Sequence, residues 1–94
     1  MSHPSSPQPG DIVVCAPLRT AIGRFGGSLV DVPASTLGGH VIAATVRRAG
    51  LDPARVDSVV FGNVIQAGNG MNLARQAAIA GGLPVAVPAL TVNR

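Results

Sequence analysis

Asp57-Ser58-Val59-Val60-Phe61-Gly62, then Asn72-Leu73-Ala74-Arg75-Gln76-Ala77-Ala78-Ile79-Ala80, then Ala89-Leu90-Thr91-Val92-Asn93 are the three runs that set the architecture of this chain. The first is short, continuous and β-branched, the pattern of a strand buried on both faces, and such strands belong in parallel sheets. A Gly/Asn-rich loop leads from it to Asn72, a good N-cap for the alanine-rich helix that follows. Gly81-Gly82 ends that helix, and Pro84 and Pro88 frame a short link to a second β-branched run. Strand, helix, strand is a βαβ unit, and the right-handed crossover rule places its strands side by side in one parallel sheet.

Toward the N-terminus the same pattern recurs. Asp11-Ile12-Val13-Val14-Cys15-Ala16, bounded by Gly10 and Pro17, predicts another doubly buried strand. Residues 17–33 carry Gly23, Gly26, Gly27 and Pro33 with little periodicity, which makes a loop longer than a plain connection needs. From Ser35, an expected N-cap, Leu37, Val41, Ile42, Val46 and Ala49 fall on one helical face. Arg47 and Arg48 suit the carbonyl end of the helix dipole, Gly50 follows as the C′ residue, and Pro53 lies beyond. Gly38-Gly39 inside this helix costs about 1 kcal/mol per residue relative to alanine, which points to a close approach by a neighbouring element.

The fold class expected is therefore α/β: a βαβαβ arrangement with a parallel three-stranded sheet and two main helices. Two successive crossovers of one hand put both helices on the same face, so the other face and one edge stand bare. We expect an incomplete half-domain, with residues 1–10 as a disordered leader and residues 11–94 as a partial domain.

Composition narrows the function classes. The chain has 94 residues, 47% hydrophobic and 12% charged, the profile of a core-rich piece rather than of a disordered chain. Its net charge of +3 comes from seven arginines and four aspartates. The arginines are scattered, and Phe25 and Phe61 are the only aromatics, so no stacking platform for nucleic acid exists. One cysteine permits neither an internal disulfide nor a thiolate zinc site. Residues 1–10 fit no secretory or transit signal, and no apolar run reaches the roughly twenty residues that span a bilayer. A cytoplasmic protein without nucleic-acid or membrane partners is the expectation.

Arg19-Thr20-Ala21-Ile22-Gly23-Arg24-Phe25-Gly26-Gly27, just after the first expected strand, is similar to the N-terminal motif of thiolases, the acetyl-CoA C-acetyltransferases and 3-ketoacyl-CoA thiolases. The similarity continues through Asp31-Val32-Pro33-Ala34, Arg48-Ala49-Gly50, Phe61-Gly62-Asn63-Val64 and Asn72-Leu73-Ala74-Arg75-Gln76-Ala77-Ala78. Two departures stand out. Met71-Asn72-Leu73 occupies a place where the family commonly has Gln-Asn-Pro, and Cys15 stands where serine or alanine is usual.

The resemblance implies a five-layered α/β/α/β/α enzyme of two similar halves, of which this chain is the first part of the N-terminal half. It implies a ping-pong Claisen or thiolytic reaction on acyl-CoA, in which one cysteine at a helix N-terminus takes the acyl group and a second acts as base. Thr91-Val92-Asn93-Arg94 resembles the strand that leads within a few residues to the nucleophilic cysteine. By that reading residues 1–94 hold no catalytic, cofactor-binding or metal-binding residue; acyl-CoA is a substrate of the complete enzyme, and the chain alone is inactive. The strand from Ala89 to Asn93 would pair with its twin across a dimer axis.

Other readings of single residues are weaker. Cys15 invites a nucleophilic role, but inside an apolar strand it would act as a small hydrophobe. His40 lies away from most of the apolar stripe, as a solvated or packing histidine does. Gly23 to Gly27 lacks the frame of a phosphate-binding loop and does not open onto a helix. Arg19, Arg24 and Arg75 would meet CoA phosphates or, more simply, cap carbonyls and make ion pairs. Two rival functions remain open: a non-catalytic truncated or split-enzyme assembly fragment, and a relative among the wider condensing enzymes such as a ketoacyl synthase, against which residues 19–27 argue.

Overall fold

A computed structural model of the chain describes residues 6–94. Along it run helix α1 (Ala34–Arg48), a 3-10 turn (Pro53–Arg55), strand β1 (Val59–Gly62), helix α2 (Leu73–Ala80) and strand β2 (Ala89–Val92). β1 and β2 pair in parallel, with Val59 opposite Ala89 and Gly62 opposite Val92. The βαβ unit expected from residues 57–93 is thus present, and the α/β class holds.

The third strand is not. Residues 11–16 form no strand and have no ladder partner, Ile12 is 100% and Val14 97% exposed, and Ala16 takes a left-handed φ of 50. Among the described residues the sheet has two strands, not three. The physical reason lies in what strand propensity measures, which is packing against neighbours on a half-buried pleat. The two helices are spent elsewhere: α2 packs on both strands, while α1 packs chiefly against α2. No layer is left to cover a third strand. Part of the expected leader, residues 1–5, lies outside the described residues; beyond it, Gln8 and Asp11 close a small turn, the Gln8 amide donating to Asp11 Oδ2 at 2.8 Å and the Asp11 amide to the Gln8 carbonyl at 3.0 Å.

The N-cap of α1 lies two residues before the expected Ser35. Pro33 is its N-cap and makes no side-chain cap; its carbonyl accepts from the amides of Thr36 and Leu37. The ring fixes φ near its helical value, so proline enters a helix without needing a hydroxyl cap. The other end follows expectation. Gly50 takes φ +67, its amide donates to Arg47, and the Leu51 amide reaches back to Val46, the double bond of a Schellman motif. α2 ends in the same way, with the Gly82 amide donating to Ile79 and the Leu83 amide to Ala78.

The core is small and built largely of alanine. Ile42 from α1, Ala74, Ala77 and Ala78 from α2, Val59 from β1, and Leu83 and Val87 from the link form one buried cluster, with Val46, Val56, Phe61 and Ala89 against its rim. Short side chains let the backbones approach. At Gly38 a Cβ would stand 2.6 Å from the Phe61 ring and 2.9 Å from the Ala77 Cβ. Both glycines that looked anomalous inside the helix therefore sit where α1 crosses its neighbours. On the opposite face of the sheet Val60 and Leu90, paired in register, stand open at 60% and 56% exposure.

Candidate functional site

In open sheets of parallel strands the reacting groups gather at the carboxyl ends of the strands. Here that end is built from the start of α2, the ends of β1 and β2, and the loop 63–72. Asn72 holds it together. In the left-handed region at φ 46, its Oδ1 accepts from the Arg75 amide at 3.3 Å and from the Thr91 hydroxyl at 2.7 Å, while its Nδ2 donates to the Ala89 carbonyl at 3.1 Å. Thr91 Oγ1 in turn accepts from the Ala74 amide at 2.9 Å. One asparagine and one threonine thereby satisfy two of the orphan amides of α2 and fasten the helix start to β2.

The loop is fastened from the same helix. Gln76 Nε2 donates to the Asn69 carbonyl at 2.6 Å and to the Met71 carbonyl at 3.0 Å, so the loop folds back over α2. It forms one wall of a cleft of about 460 Å³ whose other wall is the segment entering α1, from Val30 to Ser35. Arg75 points the other way: its guanidinium donates to Val87 at 2.8 Å and to Val85 at 2.6 Å, clamping the link before β2. A planar fork suits two carbonyls set side by side. Arg75 thus caps carbonyls, one of the roles expected of it.

The other singled-out residues do not converge on this end. Cys15 is exposed, which corrects the expectation of a buried thiol in a strand. His40 is exposed on α1. Residues 23–27 form a surface turn closed by the Gly27 amide on the Arg24 carbonyl at 2.8 Å. Arg19 donates to the carbonyl of its own neighbour Thr20 at 2.9 Å. Among the described residues no cluster of histidine, cysteine, aspartate and glutamate could hold a metal ion. No described helix is long and apolar enough to cross a membrane.

Residue-by-residue reading missed Asn63, Gln76 and Thr91. Thr91 could have been found from the two-residue alternation of its strand, which sets it on the face of Ala89. Gln76 had no such signal, because its carbonyl partners belong to a loop without periodicity. Asn63 follows β1 directly. Its amide extends the ladder to the Val92 carbonyl at 2.8 Å, and its Nδ2 is buried without a partner among the described residues.

A family model described as the N-terminal domain of thiolase matches residues 12–94. Among curated proteins the chain is 52% identical over 84 residues to an acetyl-CoA acetyltransferase of Cupriavidus necator, covering 89% of this chain and 21% of that protein. An acetyl-CoA acetyltransferase of Pseudomonas aeruginosa matches with the same identity and coverage. A probable acetyl-CoA acyltransferase of Staphylococcus aureus is 52% identical over 83 residues, 88% of this chain and 21% of that protein. The chain thus spans about a fifth of the length of these relatives.

Proposed function

The chain belongs to the thiolase family, and we propose on that footing that it is the N-terminal scaffold segment of an acyl-CoA C-acyltransferase, inactive by itself. The observation that carries this reading is the fastened β1–α2–β2 unit. Asn72 and Thr91 lock the start of α2 to β2 at the carboxyl end of the sheet, a rigid platform from which the chain leaves at Arg94. In the complete enzyme the platform would hold the loop bearing the nucleophilic thiol, because a reacting sulfur needs fixed placement more than it needs local flexibility.

The chemistry is a thioester Claisen condensation and its reverse. A cysteine thiolate attacks the carbonyl of one acyl-CoA, the bond from carbonyl carbon to CoA sulfur breaks, and CoA leaves with the acyl group now on the enzyme. A base removes a proton from the α-carbon of a second acyl-CoA, and the resulting carbanion takes the acyl group and frees the enzyme thiolate. We assign none of these roles to residues 1–94. The complete enzyme would be a cytoplasmic homo-oligomer, joined through the outer edge of the strand from Ala89 to Asn93.

Acylation tests the reading. Incubated with acetyl-CoA, the 94-residue chain should gain no acetyl group by intact mass and release no CoA, whereas the complete polypeptide should become acetylated stoichiometrically. Turnover with acetyl-Cys15 as an intermediate would overturn it. The split-enzyme alternative draws on the open side chains of Ile12, Val14, Val60 and Leu90. It requires that activity appear only when the chain is mixed with a separately made remainder.

A further inference from the structure

We propose that Asn69 is a site of self-modification: the backbone nitrogen of Gly70 closes on its side-chain carbonyl carbon, and water opens the resulting ring to aspartate or isoaspartate. The inference stands apart from the acyl-transfer reading. Because the attacking nitrogen is tethered to its target, the step is governed by freedom to close, access for solvent and the acidity of the attacking N–H. Freedom is present. Gly70 takes φ +75, and a Cβ there would stand 2.8 Å from Gln76 Nε2, so glycine is the residue that fits behind Asn69, and it leaves the nitrogen uncrowded. The bond that holds the Asn69 side chain, from its Nδ2 to the Ile65 carbonyl, is long at 3.4 Å and easily given up. Access is present too, since Gly70 is exposed and both residues line the open cleft of about 460 Å³.

Acidity comes from Gln76. The Gly70 amide has no acceptor among the described residues, whereas the carbonyl of the same peptide accepts from Gln76 Nε2 at 2.6 Å. When the amide gives its proton to solvent base, the negative charge is shared with that oxygen, and a donor already aimed at it favours the charged form. The nitrogen then bonds to Asn69 Cγ, the Cγ–Nδ2 bond breaks, and ammonia leaves with a proton from water. Water next adds to one of the two ring carbonyls: breaking the bond from nitrogen to Cγ gives aspartate, and breaking the bond from nitrogen to the main-chain carbon gives isoaspartate. The other asparagines, Asn63, Asn72 and Asn93, precede Val64, Leu73 and Arg94, whose side chains crowd the nitrogen. Asn72 is also held by three hydrogen bonds. Isoaspartate reroutes the backbone through the former side chain and displaces the carbonyl that Gln76 holds, so conversion unfastens the loop from α2.

Peptide mapping of the complete polypeptide, kept native in warm, mildly alkaline buffer, tests this. Asn69 should convert before Asn63, Asn72 and Asn93, with the mass gain of an amide-to-acid exchange, isoaspartate among the products, and a slower rate at mildly acidic pH. An intact Asn69, or conversion of any of the other three ahead of it, overturns the proposal. Gln76→Met removes the donor and at the same time frees the loop. Conversion of Asn69 should then slow about tenfold, the weight of one hydrogen bond to a developing charge. An equal or faster rate would mean that loop mobility governs the step, and overturns the proposal. Should Gln76→Met fail to fold, the wild-type map decides alone.

Discussion

A Cβ on Gly39 would stand 2.7 Å from the Cβ of Ala80 and 3.1 Å from the Ala80 carbonyl carbon and the Gly81 nitrogen. α1 and α2 therefore cross nearly backbone to backbone, and the alanines of α2 and glycines of α1 are complementary halves of one contact. The crossing buries Ile42 beside Ala77 and Ala78, although no large side chain among the described residues is fully buried.

Gly39→Val should destabilise the chain by about 2 kcal/mol, since overpacking against backbone outweighs any gain in helix propensity. Urea denaturation followed by circular dichroism measures it. Stability equal to wild type would mean that the helices separate freely.

Asn72→Ala removes a cap and a tether together and should cost about 1–2 kcal/mol. Thr91→Val should cost a similar amount, leaving the Ala74 amide unpaired and Asn72 Oδ1 with the Arg75 amide alone. Because the two side chains share one network, the double variant should lose less than the sum of the single losses, and a thermodynamic cycle on the four proteins reads the coupling. Strict additivity would contradict the geometry.

Arg75→Lys should loosen the link between α2 and β2. An ammonium cannot span the Val85 and Val87 carbonyls as the planar fork does. Hydrogen exchange across residues 83–88 should rise about fivefold, the open fraction expected from losing on the order of 1 kcal/mol of hydrogen bonding. Protection at α1 should be unchanged.

Leu90→Lys places a charge on the open face of the sheet, opposite α2. It should reduce self-association in sedimentation velocity while leaving the unfolding free energy within about 0.5 kcal/mol of wild type, as exposed substitutions do. A large loss of stability would show that the face is packed within the monomer.

Cys15 should react with a disulfide reagent in the native chain as completely as in denaturant, since its side chain is exposed. Protection in the native state would restore the buried strand that residues 11–16 resemble in composition.

The helices, their glycine ends, the Asn72 cap and the parallel pairing of residues 59–62 with 89–92 were legible from spacing and cap chemistry, because each depends on residues within a turn or two of one another or on a crossover with one favoured hand. The meaning of Gly38-Gly39 was legible as a close approach, though not the identity of Phe61, Ala77 and Ala80 as what approaches. Residues 11–16 carried a strand's composition without a strand's neighbours, and composition cannot report what covers a segment. The same holds at the carboxyl end of the sheet. Thr91, Arg75 and Gln76 acquire their roles from carbonyls, amides and a side-chain oxygen elsewhere in the chain, and that pairing exists only once the backbone has brought them within about 3 Å of each other.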